Sequence, residues 1–409
     1  MYFSLIISLI IFLLIAVKQW LPKKIKIWNI MAFGAAINLI TGQLSISEAL
    51  HYIDWNIIFY LTGIFFITAS IYESGCSQSL SNFITRFNSF PIALLCYMVF
   101  LFCTTLLFTN DASAIIGVPL AIAISRKYDK SLNLILLSLC ATITISSVTS
   151  PIGNPQNILV ATDPFLNNAW SSFFHSLFMP TLLCLIFSFF WFYFLMDRTS
   201  QSIKSNHQTL EKTQYKRKYL PNILISCSIF VVFIVIKISY SHSQNIFLSY
   251  GFISMFAAIP LFLQKESHKT MFQKLDWETI IFFISMFIVT GAVLKSNVLS
   301  SLLGNNVNQL GQSNIVAAFS FIGSQIFSNV PMVDIYLNLL EQKSQHALML
   351  LAAMSTIAGN LFLISAASNV IVLQQAEKYT GRQAFTFWSF FFVNLPITIF
   401  SSICLYLLI

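Results

Sequence analysis

Apolar runs of membrane-spanning length follow one another along almost the entire chain, and this pattern decides what the chain can fold into. A bilayer crossing needs about 20 mostly apolar residues, and a backbone in hydrocarbon must satisfy its own hydrogen bonds, so each run predicts a helix. Only 9% of the 409 residues are charged, against about a quarter in a soluble domain. The pattern therefore predicts an all-α polytopic membrane protein and excludes a soluble enzyme domain. The predicted spans are 2–17, 27–41, 55–73, 131–162, 174–196, 221–238, 247–263, 277–295, 346–376 and 385–409.

Four apolar stretches are interrupted by polar residues at the depth of the bilayer centre. Irregular backbone at this depth is tolerated only where it is buried in protein or lines a cavity. Two interruptions predict re-entrant helical hairpins with polar tips, and two predict helices broken within the membrane. The hairpins are 91–126, with Thr109, Asn110 and Asp111 at its tip, and 314–340, with Ser328, Asn329 and Val330 at its tip; the broken helices are 131–162, interrupted around Gly153, Asn154, Pro155 and Asn157, and 346–376, interrupted around Ser365, Ala366 and Asn369.

The distribution of basic residues predicts a topology. If residue 1 lies outside and each hairpin enters and leaves on one side, only Lys237, Lys295 and Lys343 of the 22 Lys and Arg residues lie outside. This bias follows the positive-inside rule, and reading either hairpin as a full span removes it. Both termini are then on the outer side, and 198–220 is a basic cytoplasmic linker that orients the chain or contacts anionic lipids. The basic residues behind the net charge of +8 thus orient the chain in the membrane and do not indicate nucleic-acid binding.

The second half of the chain repeats features of the first in the same order. Residues 53–59 read IDWNIIF, and residues 275–281 read LDWETII, 222 positions later. Asn110 is matched by Asn329 after 219 positions, and Asn157 by Asn369 after 212. Three matches in one order predict an internal duplication.

An odd number of crossings in each copy makes the second copy inverted. Each half holds five predicted crossings, one of them broken, and one hairpin, so the two copies sit upside down relative to each other. We predict a first repeat over 1–197 and an inverted second repeat over 221–409. Inverted repeats with interrupted helices at matching positions are typical of secondary transporters, whose sites lie near the midplane.

Several of these motifs resemble those of the ion transporter superfamily. They are the run FTND at 108–111 followed by Pro119, the run SPIGNPQN at 150–157 and the run SNVP at 328–331. That group holds citrate and anion permeases, arsenite-efflux permeases, sodium:dicarboxylate symporters and one type of sodium/proton antiporter. The resemblance implies a scaffold and an elevator-type transport domain built from the hairpins and broken helices, and a possible homodimer. Asn110-Asp111 at the first tip is similar to arsenite and citrate-type permeases and departs from the Ser-Asn-Thr tips of the symporters.

The chemistry expected at the interruptions suits an anion. Helices are expected to restart inside the membrane after Asp111, after Pro155, after Pro331 and near Asn369. Such helix starts present unpaired N–H groups and a positive dipole end to the site. Asn110 and Asn329 can donate to a substrate oxygen, although an asparagine there could also serve only as a helix cap. The hairpin tips could also hold sodium.

Asp111 is the expected proton-coupling residue. A carboxylate at bilayer depth costs on the order of 3 kcal/mol, and no Lys or Arg is predicted at that depth, so it needs a proton or a bound cation. The alternative is a capping role in its helix. Asp54 and Asp276 precede Trp at span entrances and are expected to be interfacial helix caps, whereas Asp334 is a second, weaker candidate for function.

These features predict a secondary active transporter that moves a small inorganic or organic anion across the inner membrane, coupled to protons. The first alternative is an arsenite/antimonite efflux permease, and the second is a sodium/proton antiporter. The sequence holds no HExxH or GxSxG motif and no GxxxxGK[ST] motif, so we predict neither an enzyme nor a bound cofactor. The energy then comes from an ion gradient, unless a separate ATPase subunit couples to the chain. The seven scattered cysteines are expected to be packing residues.

Overall fold

The regular structure of the protein is helical throughout the residues that can be described. The computed structural model describes residues 3–16, 25–198, 220–240, 246–263, 272–273, 275–298, 301, 304, 309–363, 365–381 and 383–409, and these contain helices and no strands. The prediction of an all-α protein is therefore confirmed. The predicted linker over 198–220 lies outside the described residues except for its two ends.

The helices of the described ranges are labelled in chain order. In the first half they are α1 Phe3–Ala16, α2 Ile27–Ile40, α3 Ile46–Tyr52, α4 Trp55–Glu73, α5 Cys76–Ile84, α6 Phe90–Leu107, α7 Asn110–Tyr128, α8 Leu132–Ser147, α9 Pro155–Ala161 and α10 Ala169–Arg198. In the second half they are α11 Leu220–Ser239, α12 Tyr250–Phe262, α13 Trp277–Lys295, α14 Ser313–Phe327, α15 Asn329–Leu339, α16 Gln345–Ala358, α17 Ala367–Thr380 and α18 Phe387–Leu408, with a 3₁₀ turn at Ile246–Leu248 before α12.

Six of the described helices are long and apolar enough to cross a bilayer: α4, α6, α10, α11, α13 and α18. Several shorter apolar helices, among them α8 and α16, pack between them. The protein is therefore a multi-pass membrane protein.

Helix α6 was predicted as the first arm of a hairpin, yet its 18 residues could span by themselves, so re-entry of 91–126 stays a prediction. What the structure gives is that α6 packs on α7 and α14 packs on α15.

The repeated Asp-Trp motif forms the same local structure in both halves. Asp54 accepts a hydrogen bond from the backbone N–H of Ile57, and Asp276 accepts one from that of Thr279, both at 3.1 Å. These carboxylates cap α4 and α13, as expected from the sequence. The Trp that follows each Asp donates its indole N–H to a backbone carbonyl five residues earlier.

The two halves pack on each other crosswise. Helix α4 of the first half packs on α12 of the second, and α13 of the second packs on α2 of the first. Closer to the interruptions, α15 packs on α9 and α17 packs on α7. Each half therefore buries its interrupted elements against those of the other half.

The helices restart slightly earlier than the sequence suggests. We expected helix after Asp111 and after Pro331, but α7 begins at Asn110 and α15 begins at Asn329. The reason at the first tip is that Thr109, in extended conformation, already caps the helix. Two short helices, α3 and α5, were not predicted, because both lie in polar connections between apolar runs.

Candidate functional site

The first tip satisfies the start of its own helix. The hydroxyl of Thr109 accepts a hydrogen bond from the N–H of Ala112 at 3.1 Å, and the side-chain oxygen of Asn110 accepts one from the N–H of Asp111 at 3.0 Å. All three tip residues, Thr109, Asn110 and Asp111, are buried. Asn110 is thus the first helical residue and not the N-cap, because that role belongs to Thr109.

The first tip also contacts both broken helices. The backbone N–H of Asn110 donates to the carbonyl oxygen of Gly153 at 2.8 Å. Its side-chain Nδ2 donates to the hydroxyl of Ser368 at 3.3 Å, 258 residues away in the chain. Glycine at 153 is needed within the break itself, since a Cβ there would lie 2.7 Å from the carbonyl oxygen of Ser147.

The first break is a closed network of amides and hydroxyls. Asn154 caps α9 by accepting from the N–H of Asn157 at 2.8 Å, and Pro155 occupies the first helical turn, where no N–H is needed. The side-chain Nδ2 of Asn154 donates to the hydroxyls of Ser147 at 3.0 Å and Thr356 at 3.1 Å. Asn157 donates to the carbonyl oxygen of Ser147 at 2.8 Å, and its own side-chain oxygen accepts from Thr356 at 3.3 Å. Thr356, at the end of α16, therefore joins the second broken helix to the first.

The second tip differs from the first in conformation. Ser328 has a φ of +69°, a left-handed value that a residue with a side chain rarely adopts and that costs about 1–3 kcal/mol. Asn329 begins α15, with Val330 and Pro331 buried in its first turn. Among the described residues, the side-chain oxygen of Asn329 has no hydrogen-bond partner. A Cβ added to Gly359 would lie 3.2 Å from its Nδ2, so this amide rests against the second break.

The second break is tied to the second hairpin. The hydroxyl of Ser365 donates to the side-chain oxygen of Gln325 in α14 at 2.5 Å, and Gln325 donates to the carbonyl oxygen of Ala358 at 2.7 Å. Asn369 donates to the carbonyl oxygen of Gly359 at 2.8 Å. Ala366, the extended residue before α17, is buried.

The structure thus brings all four predicted interruptions together. Tip one meets both breaks, break one is bonded to the end of α16, and tip two lies against break two. We call this assembly the central site; its members are Thr109, Asn110, Asp111, Gly153, Asn154, Pro155, Asn157, Ser328, Asn329, Val330, Ser365, Ala366 and Asn369, with Ser368, Thr356 and Gln325 joining them. The role of these residues in binding a substrate stays a prediction.

The only carboxylate among the members of the central site belongs to Asp111. Its residue is 2% exposed, and no hydrogen bond from another described residue reaches its carboxylate. Among the described Lys and Arg residues, none is buried. A cavity of about 230 Å³ lies one helical turn further, lined by Ile115 of the same helix face and by Asp276 and Lys378.

Asp334, the weaker candidate, has a partner. Its carboxylate accepts a hydrogen bond from the hydroxyl of Thr290 in α13 at 2.8 Å.

Within the described residues, no group of three or more His, Cys, Asp or Glu side chains could hold a metal ion.

Sequence reasoning missed a buried tyrosine that reaches the central site. The hydroxyl of Tyr60 in α4 lies 3.1 Å from the carbonyl oxygen of Ile152 and 3.3 Å from that of Phe108, so it can donate to either. The available signal was a hydroxyl inside an apolar run, at a position where the second half has Phe282, 222 residues later. Thr356 and Gln325 were missed because a hydroxyl or amide within a helix carries no local signature. Ser368 belongs to the predicted interruption over 365–368 but was not among the candidate binding residues.

Comparison with known proteins identifies the type of membrane protein. A model of the citrate transporter family, CitMHS, matches residues 9–345. The inner membrane protein YbiR of Escherichia coli is 24% identical over 366 residues, covering 87% of this chain and 88% of that protein. The 46 kDa membrane protein of Mycobacterium leprae is 21% identical over 401 residues and covers 90% of both chains. The silicon efflux transporter LSI3 of Oryza sativa is 20% identical over 440 residues, covering 90% of this chain and 88% of that protein.

The family model covers the first tip, the first break and the second tip, and the relatives match 87–90% of the chain. They confirm the resemblance to the ion transporter superfamily and the prediction of a transporter in place of an enzyme. The chain belongs to the citrate transporter family.

Proposed function

We propose that the protein is a secondary active transporter that moves a small inorganic or organic oxyacid, as its anion or in protonated form, across the inner membrane, coupled to protons. The observation that carries the proposal is that Asn110 bonds to Gly153 in one broken helix and to Ser368 in the other. Interrupted helices that meet at one point are the usual construction of a midplane transport site. The Escherichia coli relative, named an inner membrane protein, supports the location.

The two halves are proposed to be inverted repeats. Two observations support this arrangement. Helices α4 and α13 begin with the same Asp-Trp cap, and α4 packs on α12 while α13 packs on α2. An inverted pair lets one structure expose the same site alternately to either side, as alternating access requires.

The transport step is proposed to be an elevator movement of α6–α9 and α14–α17 against the scaffold formed by α1–α4 and α11–α13. Hydrogen bonds that cross between these groups include Tyr60 to Ile152 at 3.1 Å, Tyr72 to Tyr379 at 2.6 Å and Thr290 to Asp334 at 2.8 Å. A typical hydrogen bond contributes about 0.5–1.5 kcal/mol net. Contacts of this size can be exchanged when one group slides past the other.

A second candidate is efflux of a neutral metalloid oxyacid, the arsenite or antimonite alternative. The rice relative is named a silicon efflux transporter, and silicic acid is such a solute. The absence of a buried Lys or Arg among the described residues fits a neutral substrate as well as it fits an anion held by dipoles.

Transport by purified protein in proteoliposomes tests the proposal directly. With arsenite, citrate, phosphate, sulfate and sodium supplied under imposed pH gradients, we expect one oxyacid to accumulate in the direction set by the gradient. Collapse of the gradient by a protonophore should stop accumulation and leave exchange intact. Proton-driven sodium movement without movement of any oxyacid would instead identify the antiporter.

The proposed inverted topology predicts the side from which four exposed positions react. In a background without the seven native cysteines, Asn88→Cys and Gln383→Cys should be labelled by an impermeant thiol reagent from the cytoplasmic side. Asn167→Cys and Gln312→Cys should be labelled from the outside. Residue 88 precedes the hairpin over 91–126, and residue 167 follows the broken helix over 131–162, so one predicted crossing separates them. Labelling of Asn88→Cys and Asn167→Cys from the same side would therefore contradict the topology.

A further inference from the structure

Asn360 is a buried asparagine whose whole amide lacks a partner. It follows Gly359 directly, at the point where α16 has ended. The residue is 0% exposed, and neither its Oδ1 nor its Nδ2 forms a hydrogen bond to a described residue. A buried polar group left unpaired costs about 1–3 kcal/mol, so such a group is expected where a ligand supplies the missing partners.

Two further amides with unpaired oxygens lie against Gly359, the neighbour of Asn360. The Nδ2 of Asn369 donates to the carbonyl oxygen of Gly359 at 2.8 Å, which leaves its Oδ1 unpaired among the described residues. Asn329 contacts the same glycine with its Nδ2 side, and its Oδ1 is also unpaired. Two buried amides with unpaired oxygens therefore contact Gly359, and a third follows it in the chain; we call Asn329, Asn360 and Asn369 the amide cradle.

The first half of the central site has no such cradle. The side-chain oxygens of Asn110, Asn154 and Asn157 each accept a hydrogen bond from the protein. Position 148, which lies 212 residues before Asn360, is a valine. These three amide oxygens thus differ from those of Asn329, Asn360 and Asn369, which have no donor among the described residues.

The composition of the cradle selects the protonation state of a ligand. Unpaired amide oxygens accept hydrogen bonds and need donors, which a fully ionised oxyanion does not have. Asn360 needs one donor and one acceptor together, and an undissociated acid offers both on adjacent oxygens. None of the described Lys or Arg residues is buried, so no buried cation favours the ionised form.

We propose that the amide cradle binds the transported oxyacid in its undissociated form, with the amide of Asn360 paired to an O–H donor and a neighbouring oxygen of the acid. The proton then crosses the membrane on the ligand itself. This inference rests on the proposed function and specifies the form of the substrate at the same site.

The test is the substitution Asn360→Val, which copies the residue at the counterpart position. Removing an unpaired buried amide should leave the unfolding midpoint of the unliganded protein in detergent unchanged or raise it. Arsenous acid or silicic acid at pH 7 should stabilise the unsubstituted protein against thermal unfolding, and Asn360→Val should weaken this apparent affinity at least tenfold. Asn38→Val is the matched control, because Asn38 is equally buried in α2, where it bonds to the carbonyl oxygen of Gly34, and it should leave the ligand affinity unchanged.

A pH series with citrate as the probe gives an independent readout. If the undissociated form binds, the apparent Kd for total acid rises with pH as that form is depleted, and Asn360→Val weakens binding at every pH. Any one of four results would overturn the inference. These are a Kd that does not rise with pH, stabilisation by sodium alone that Asn360→Val removes, failure of every undissociated acid to bind, and a lower unliganded midpoint in Asn360→Val. Transport of sulfate that Asn360→Val leaves unchanged would count against this inference and leave the proposed function standing, whereas absence of all transport by the unsubstituted protein counts against the function.

Discussion

Asn329→Ala should reduce the transport rate per folded molecule at least tenfold, and Asn110→Ala should do the same. Both side chains lie at hairpin tips against the broken helices, where a substrate at the central site would meet them. A tenfold loss corresponds to about 1.4 kcal/mol, the contribution of one to two hydrogen bonds. Initial rates of uptake into proteoliposomes, normalised to correctly folded protein, measure the effect.

The structure separates these two variants by their effect on stability. Asn110 makes side-chain hydrogen bonds to Ser368 and to the N–H of Asp111, so its removal should lower the unfolding midpoint as well as the transport rate. Asn329 has an unpaired side-chain oxygen, so its removal should cost little stability. Asn329→Ala is therefore the cleaner test of a binding role.

Asn133→Ala serves as the control for the loss of an asparagine from the interrupted region. Asn133 lies at the start of α8, away from the tips, and bonds to Ser389 at 3.4 Å. Its replacement should leave transport near the unsubstituted level. Normal specific activity of Asn329→Ala, with loss of folded protein in both tip variants, would assign the tip asparagines a purely structural role.

Much of the architecture could be predicted because it is encoded locally. The Asp-Trp pair and the apolar run behind it predicted a span over 55–73, and α4 occupies Trp55–Glu73. The polar interruptions were equally visible, since an Asn-Asp or Gly-Asn-Pro sequence inside an apolar run favours a tip or a break. These signals depend on residues close together in the chain.

The bonds that assemble the central site could not be predicted, because they join residues far apart in the chain. Tyr60 meets Ile152 across 92 positions, and Asn154 meets Thr356 across 202. Which hydroxyl meets which carbonyl depends on how the two halves pack crosswise, and hydrophobic periodicity does not specify that register. The crosswise contacts of α15 with α9 and α17 with α7 supply the missing information.

The difference between the two tips was also invisible in the sequence. Asn110 and Asn329 occupy matching positions in the two halves. The residue before Asn110 is in extended conformation, whereas Ser328 before Asn329 has a φ of +69°. One tip therefore satisfies its own amides and the other leaves an amide oxygen unpaired, so an internal repeat can place one paired and one unpaired amide in a single site.

Asp111→Asn should abolish accumulation driven by a pH gradient while exchange of substrate across the membrane continues. Asparagine has the size of a protonated aspartate but cannot release a proton, so the variant resembles one state of the coupling cycle. Asp111 is chosen because its carboxylate is buried and receives no hydrogen bond from another described residue. The described ranges also contain no buried Lys or Arg that could neutralise it. Such a group at bilayer depth is expected to take up a proton or a cation.

Counterflow and gradient-driven uptake, measured in the same proteoliposomes, distinguish the roles of Asp111. A proton-coupling carboxylate predicts normal counterflow with no pH-driven accumulation, and a cation ligand predicts loss of sodium dependence instead. A helix cap predicts that both activities fall in parallel with the yield of folded protein. Asp334→Asn is the comparison variant, because that carboxylate accepts a hydrogen bond from Thr290, and it should retain more pH-driven uptake than Asp111→Asn.

The outcome also bears on whether the proton crosses the membrane on the protein or on the ligand. If Asp111→Asn loses accumulation, at least one coupled proton is carried by this carboxylate, in addition to any proton that enters with an undissociated acid. If pH-driven uptake is unchanged in Asp111→Asn and lost in Asn360→Val, the ligand alone carries the proton, and Asp111 has no part in coupling. The two substitutions lie in different halves of the chain, so their effects on coupling should be separable. The double variant should show the sum of their single effects if the two routes are independent.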